Sequence, residues 1–142
     1  RAFGITKGTR GAMVGFFAPV IAQLQARGVD LRILDRDPGM GDERQCLAML
    51  GSWPELVVIT ATTILNDSFE SLVRAVEGAA RGFVLGPSTP LVPAAYRGLP
   101  VDRLGGMVPS DGPRVIAAVR QGGGTPQLSP FCRKVSCLLA RS

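Results

Sequence analysis

Hydroxyl and amide side chains gather after two short apolar runs, residues 56–60 and 82–85. The first run is followed by Thr62, Thr63 and Asn66, and the second by Ser88 and Thr89 between two prolines. These groups donate and accept hydrogen bonds, and Gly86 allows close approach to the backbone. Asn66 or Asp67 is the natural N-cap of the next helix. Capping leaves the Thr62 and Thr63 hydroxyls without an obvious structural partner, so the first segment predicts a binding site, whereas a rigid turn and a binding role explain the second equally well.

Histidine is absent from the sequence, and Lys7 and Lys134 are its only lysines. The missing imidazole excludes Ser-His-Asp and Cys-His catalysis, histidine metal sites and histidine pH switches within this chain. A lysine Schiff base would have to use one of the two lysines. We therefore name no catalytic residue, no metal ligand and no cofactor from the sequence.

The three cysteines, Cys46, Cys132 and Cys137, are odd in number and widely spaced. That usage argues against a disulfide framework and for a reducing compartment, and we expect a cytoplasmic protein. Cys132 and Cys137 are five residues apart, which separates them on a strand or on a helix. We expect all three to be small buried hydrophobic residues rather than a chelating set.

The formal net charge is +5, and fourteen arginines carry most of the positive charge. They occur singly, mostly beside carboxylates, whereas nucleic-acid binding favours a clustered basic patch. No apolar run approaches the ~18 residues of a membrane span. We expect neither a nucleic acid nor a membrane as partner.

Short apolar runs alternate with amphipathic stretches along the chain. Strands are predicted at residues 11–17, 31–34, 56–60, 82–85 and 134–139, and helices at 19–27, 42–50, 67–76, 92–96 and 111–120. This alternation predicts an α/β fold, a three-layer Rossmann-like domain with a mostly parallel sheet of five to six strands. Ligands of such folds bind outside the carboxyl ends of the strands, where the hydroxyl segments lie.

A nucleotide site is the alternative at the first two strands. A dinucleotide fingerprint needs glycines spaced as GxGxxG, and Gly11 and Gly15 do not have that spacing. Asp35 lies twenty residues after Gly15, where a ribose-binding carboxylate would be, although helix capping also explains it. Four carboxylates within residues 35–43 suit either a hard cation or, as we favour, a solvated loop.

Five segments, taken in order, resemble one family. They are residues 14–19 (VGFFAP), 60–66 (TATTILN), 86–91 (GPSTPL), 105–108 (GGMV) and the glycines 122–124. Together they are similar to the C-terminal, Rossmann-like domain of the "putative heavy-metal chelation" family, whose function is largely unknown. The likeness extends from about residue 11 to residue 134.

The resemblance implies a site shared with an N-terminal domain similar to the enolase N-terminal fold. It also implies a role in handling a metal or a metal-binding small molecule. By matched position, the ligand-binding residues would be Gly15, Phe16, Phe17, Thr62, Thr63, Asn66, Gly86, Pro87, Ser88, Thr89 and Pro90. Relatives often carry Val-Gly-His-Phe-Pro in the first loop, whereas Phe16 and Phe17 follow Gly15 here.

A length of 142 residues corresponds to one domain. We expect residues 1–10 to be a remnant of a linker or preceding domain and residues 11–142 to be the Rossmann-like domain of a longer protein. The first function hypothesis is a domain that binds a small molecule, an anion or a metal chelate, completed by a second domain or subunit. The others are a nucleotide- or S-adenosylmethionine-using enzyme and a non-catalytic subunit. A partner chain or second copy could contact Phe16, Phe17 and Trp53, although core packing is the simpler explanation.

Overall fold

The computed structural model describes residues 4–34, 43–76 and 80–140 of the chain. Its strands are β1 Arg10–Val14, β2 Asp30–Leu34, β3 Leu56–Thr60, β4 Arg81–Leu85, β5 Arg103–Pro109 and β6 Cys132–Leu138. Its helices are α1 Ala18–Ala26, α2 Glu43–Ser52, α3 Thr62–Leu65, α4 Phe69–Ala75, α5 Gly112–Arg120 and α6 Thr125–Leu128. Two 3₁₀ turns lie at Pro93–Tyr96 and Ser129–Phe131.

The six strands form one sheet in the order β2-β1-β3-β4-β5-β6. The first five are parallel, and β6 runs antiparallel to β5 from Arg103 opposite Leu138 to Pro109 opposite Cys132. All five residues of β3 are buried, as expected for a central parallel strand covered on both faces. The predicted three-layer α/β fold with a mostly parallel sheet is confirmed.

Successive side chains of β3 point to opposite faces of the sheet and enter two separate cores. Val58 packs in one cluster with Ile21 and Leu24 of α1. Val57 and Ile59 pack in the other, whose further members include Leu50 of α2 and Val73 of α4. The strand is therefore held between a layer containing α1 and a layer containing α2 and α4.

The strand order reverses at β1. The chain passes from β1 through α1 to β2 at the edge, and then crosses back so that β3 lies on the other side of β1. A crevice opens at the carboxyl ends of the two strands where such a reversal occurs, and this is the usual ligand position of open α/β sheets. The carboxyl ends of β1, β3 and the neighbouring β4 are therefore the candidate ligand position in this fold.

One strand was not predicted, although its residues were part of the family resemblance. Glycines weaken strand propensity, and β5 contains Gly105 and Gly106. An added Cβ would lie 2.6 Å from Leu85 at Gly105 and 3.2 Å from Leu91 at Gly106. The two glycines thus accommodate leucine side chains that come from distant parts of the chain, and only tertiary packing reveals that need.

Several predicted boundaries differ from the observed ones. The first strand ends at Val14 rather than at residue 17, because Gly15 turns the chain with φ at +89°. Helix α2 ends at Ser52 rather than at residue 50, and Gly51 lies within it. Ser68, not Asn66 or Asp67, is the N-cap of α4. The short helices α3 and α6 were not predicted at all.

Other local predictions are confirmed. Helix α1 has Pro19 in its first turn, and Asp111 caps α5 by accepting a hydrogen bond from the Arg114 backbone N–H at 3.2 Å. Gly123 packs closely against the end of α5, because a Cβ there would lie 2.8 Å from the Ala118 carbonyl oxygen. Within the described residues, no helix has both the length and the apolar character needed to cross a membrane.

Candidate functional site

Gly15 brings the exit of β1 into direct contact with the end of β3. Its φ is +89°, and a Cβ at this position would overlap the Thr60 hydroxyl and lie 3.0 Å from Thr60 Cγ2. Its backbone N–H donates to the Leu34 carbonyl at 2.8 Å, which ties the turn to the end of β2. Only glycine satisfies both the backbone angle and the close approach, so the two exits meet at the point where strand order reverses.

Thr60 and Thr62 form a short chain of hydroxyl groups at this junction. The buried Thr60 hydroxyl donates to the Val14 carbonyl at 3.1 Å, across the gap between β3 and β1. The Thr62 hydroxyl lies 3.0 Å from the Thr60 hydroxyl, and Thr62 is exposed. Sequence reasoning did not include Thr60 among the site residues. A threonine at the last position of an otherwise aliphatic buried strand was the feature that could have indicated it.

The hydroxyls of Thr63 and Thr89 close local turns of the backbone. Thr63 is 5% exposed and donates to the Thr60 carbonyl at 2.8 Å, and Thr89 is 6% exposed and donates to the Gly86 carbonyl at 2.9 Å. The expectation that Thr62 and Thr63 lack a structural partner is therefore wrong for both residues. Both partners belong to Thr60 at the end of β3, whose hydroxyl contacts Thr62 and whose carbonyl accepts from Thr63.

The loop after β4 lies beside the loop after β3. The Ala61 N–H donates to the Leu85 carbonyl at 2.9 Å, and a Cβ on Gly86, whose φ is +146°, would meet the Ala61 side chain at 3.4 Å. Tyr96 fixes the far end of the loop, because its hydroxyl donates to the Pro90 carbonyl at 3.1 Å. Burial raises the pKa of Tyr96, which keeps this hydroxyl a neutral donor. Ser88 is exposed on the loop, and Pro87 is half-buried.

Asn66 presents its amide nitrogen rather than its oxygen. Its Oδ1 accepts hydrogen bonds from the Ser68 hydroxyl at 2.6 Å and from the Ser68 backbone N–H at 3.3 Å. A backbone N–H can only donate, so the oxygen is the amide atom that faces Ser68, although the same N–H is shared with the Thr63 carbonyl at 3.1 Å. Asn66 is otherwise exposed, and its Nδ2 is the group turned away from this local turn.

Three large apolar side chains stand exposed among these loops, Phe16, Leu65 and Val92. Phe16, beside Gly15, is 63% exposed, and Leu65 at the end of α3 is 78% exposed. Phe17 is half-buried and packs against the α1 core cluster, and Trp53 is half-buried with Arg32 stacked 3.9 Å from its ring centre. Of the three aromatic residues considered for a partner contact, only Phe16 is left largely uncovered.

The charge at this edge is low. The three loops that follow β1, β3 and β4, at residues 15–17, 61–68 and 86–92, contain a single charged residue, Asp67. Asp67 is exposed and has a φ of +57°, in the left-handed region. We call the carboxyl ends of β1, β3 and β4 with these three loops the switch-point edge. It offers hydroxyl, amide and backbone groups, and no cationic side chain.

The nucleotide interpretation depends on residues that the structure does not describe. Asp35 and the carboxylates of residues 35–42 lie outside the described residues, and Glu43 begins α2. Gly11 lies inside β1, where a Cβ would be 2.8 Å from Val29, so close packing accounts for this glycine. Gly11 is therefore part of the strand and not of a glycine loop after it.

Comparison with known proteins identifies the family. The model of the DUF364 family, described as "Putative heavy-metal chelation", matches residues 1–138. The chain belongs to the DUF364 family. Two solved structures of DUF364 proteins with unknown function resemble it, each with a TM-score of 0.79. None of the curated proteins matches.

The two structures come from Pyrococcus horikoshii and Desulfitobacterium hafniense DCB-2. The first is 17% identical and the alignment covers 92% of this chain, and the second is 25% identical with 94% covered. In both comparisons only 54% of the relative's own chain is covered. This DUF364 chain therefore spans about half the length of these relatives.

The donor set of the described residues does not fit a heavy metal bound directly. Soft and borderline metals prefer thiolate and imidazole, whereas the switch-point edge of this DUF364 domain offers hydroxyl and carbonyl oxygens. Cys46 is on α2 and the other two cysteines are on β6. In the described ranges no three histidine, cysteine or acidic residues come together as a metal site would require. Burial, and then the Glu43 charge, raise the pKa of Cys46, which further disfavours its thiolate.

Proposed function

We propose that the chain is a small-molecule-binding domain whose ligand occupies the switch-point edge. The observation that carries this proposal is the contact of Gly15 with Thr60 at the strand reversal. That contact lies where open α/β sheets bind ligands, and it joins segments that sequence reasoning had singled out separately. Thr62 and Ser88, both exposed, are the side chains best placed to meet the ligand, with Asn66 beside them.

The proposed role of the remaining candidate residues is to shape these loops. The Thr63 and Thr89 hydroxyls donate hydrogen bonds to backbone carbonyls, and hydrogen bonds to the carbonyls of Gly86 and Pro90 hold the loop after β4. A rigid loop loses little conformational freedom on binding, so a ligand gains affinity without direct contact to every residue. We therefore assign Thr63 and Thr89 to positioning and Thr62 and Ser88 to contact.

A second domain or a second chain completes the site in this proposal. Phe16 and Leu65 leave apolar surface exposed directly beside the polar groups, and such surface commonly marks a contact. The DUF364 relatives are longer chains of which this one covers 54%, which is consistent with further protein adjoining the edge. An apolar cover would also exclude water from the hydrogen bonds to the ligand.

The family description adds heavy-metal chelation to the proposal, and we interpret it through the donor set. Hydroxyl, amide and backbone groups bind the organic part of a metal chelate better than they bind a bare soft cation. The ligand is accordingly a small polar molecule, and any metal would arrive already held by that molecule.

A fragment screen followed by amide chemical-shift mapping tests the location without knowing the ligand. The ¹⁵N-labelled chain is titrated with a library of small polar compounds. We expect the hits to shift the amides of residues 15–17, 62–66, 86, 88 and 89. A Ser88→Trp variant, changed at an exposed loop position, should lose these hits, whereas the control Gln23→Trp on the exposed side of α1 should retain them.

The competing location is a cavity of about 530 Å³ beside the 3₁₀ turn Pro93–Tyr96, which is lined also by Leu138 and Leu139. Hits that concentrate there and persist in Ser88→Trp would show that the switch-point edge is not the binding site. Hits at the edge that Ser88→Trp abolishes would support the proposal. The two surfaces share none of the amides being monitored, so the outcomes are distinguishable.

A further inference from the structure

We propose that the ligand of the switch-point edge presents a hydrogen-bond donor, a hydroxyl or an ammonium group, to the oxygen of Thr62. This inference rests on the proposed function and specifies the chemistry of its ligand. It follows from counting protons in the hydroxyl chain at the junction of β1 and β3, where each threonine hydroxyl has one proton and two lone pairs.

The hydroxyl proton of Thr60 is already used in the hydrogen bond to Val14. The Val14 carbonyl can only accept, so the 3.1 Å contact uses the Thr60 proton. The 3.0 Å contact between the two hydroxyls must then be made by the Thr62 proton, donated to Thr60 Oγ1. The chain of donation therefore runs from Thr62 to Thr60 to Val14. Thr62 is left with only lone pairs to offer outward, and it is exposed.

Asn66, one helical turn from Thr62, offers a hydrogen-bond donor where Thr62 offers an acceptor. Its Oδ1 is held by Ser68, so Nδ2 is the outward group and it can only donate. Residues four apart on a helical turn lie on the same side, so the Thr62 acceptor and the Asn66 donor are neighbours on α3 and its C-cap. A group that both donates and accepts, such as a hydroxyl beside a second oxygen, matches this pair.

The charged residues of the three loops also favour a hydrogen-bond donor over an anion as the ligand. Asp67 is the single charged residue of the three loops, so within these loops an anion would meet one carboxylate and no cationic side chain. An anion at Thr62 would in addition require the Thr62 proton to leave Thr60. A neutral hydroxyl or an ammonium group can donate to Thr62 while the hydrogen bonds from Thr62 to Thr60 and from Thr60 to Val14 stay in place. The negative charge of Asp67 favours an ammonium group over a hydroxyl.

Three probes separate the alternatives. The ¹⁵N-labelled chain is titrated at pH 7 with ethanolamine hydrochloride, with ethylene glycol and with inorganic phosphate, which binds mainly through acceptor oxygens. We expect saturable shifts of the Gly15, Thr62 and Asn66 amides with the first two, and apparent affinities at least about threefold weaker for phosphate. Ethanolamine binding without ethylene glycol binding identifies ammonium as the donor, and similar binding of both identifies the hydroxyl.

Variants test the role of the oxygen itself. Thr62→Val keeps the side-chain shape and removes the acceptor, so ethanolamine affinity should fall about three- to tenfold, the value of one hydrogen bond. Thr62→Ser should retain it, and Thr6→Val, an exposed threonine before β1, should leave it unchanged. In Thr60→Val, if it folds, the released Thr62 proton should shift the preference toward phosphate. The exposed Thr62 variants provide the test whether or not that variant folds.

Tighter binding of phosphate than of ethanolamine at these amides overturns the inference while leaving the proposed function intact. Donor probes that fail to shift these amides, when fragments bind at the edge, overturn it as well. A fragment screen that places its hits at the 3₁₀-turn cavity instead overturns the proposed function first. Equal affinity of ethanolamine for Thr62→Val and the unmodified chain removes Thr62 from the assignment.

Discussion

Replacing Gly15 by alanine measures the contact on which the candidate site depends. A non-glycine residue in the left-handed region costs about 1–2 kcal/mol. The new Cβ would also overlap the Thr60 hydroxyl, and moving Thr60 breaks its hydrogen bond to Val14, a loss of about 0.5–1.5 kcal/mol. We expect the free energy of unfolding to fall by about 2–3 kcal/mol in urea titrations followed by circular dichroism.

A matched control and a double-mutant cycle separate these two contributions. Gly98 has a similar φ of +76° and nothing within 4 Å of an added Cβ, so Gly98→Ala isolates the backbone cost of about 1–2 kcal/mol. In a Thr60→Ala background the overlap with the hydroxyl is gone and only a 3.1 Å contact to the Cβ of residue 60 remains, so Gly15→Ala should then cost less than in the unmodified chain and approach the cost of Gly98→Ala. Additivity of the Gly15 and Thr60 substitutions within about 0.5 kcal/mol would refute the reasoning, because distant, independent sites behave in that way.

Two further predictions concern packing and titration. Gly82→Ala should destabilise the fold by more than about 4 kcal/mol or prevent folding in thermal melts, because its Cβ would overlap the Pro100 carbonyl oxygen, whereas Gly112→Ala, with open space around it, should change stability by less than about 1 kcal/mol. Burial and the Glu43 charge raise the pKa of Cys46, so the folded state holds this proton more tightly than the unfolded state. Its contribution to stability is complete below the ordinary thiol pKa of about 8.5 and declines above it. Alkylation by iodoacetamide at pH 8.5, followed by mass spectrometry of the Cys46 peptide, should be slower in the folded chain than in urea, and equal rates would contradict this account.

Most of the fold could be predicted because its central elements have strong local patterns. β3 is a run of four aliphatic residues and a threonine, and a strand buried on both faces needs that continuity. α1 has a proline in its first turn and a glycine beyond its end, and both act within a few residues. Such patterns depend on short-range sterics and burial, so they are visible without the tertiary structure.

β5 was missed for the opposite reason. Gly105 and Gly106 lower its strand propensity, and the leucines that need their space come from positions 85 and 91. The same limit applied to the site. Thr63 was expected to lack a structural partner because its partner, the Thr60 carbonyl, becomes available only when the chain turns into α3. Local propensity does not report contacts of this kind.

The sequence by itself determined the fold class, the family and the segments that form the switch-point edge, because residue types and their order carry that information. Only the tertiary structure decided which atoms of those segments face outward. Strand order brought Gly15 against Thr60, and the hydrogen bonds to Val14 and Ser68 set the direction of each proton and amide. The direction of a hydrogen bond depends on which backbone and side-chain groups meet in three dimensions, and the sequence does not show these contacts. They distinguish an outward acceptor from an outward donor among the polar residues of the edge.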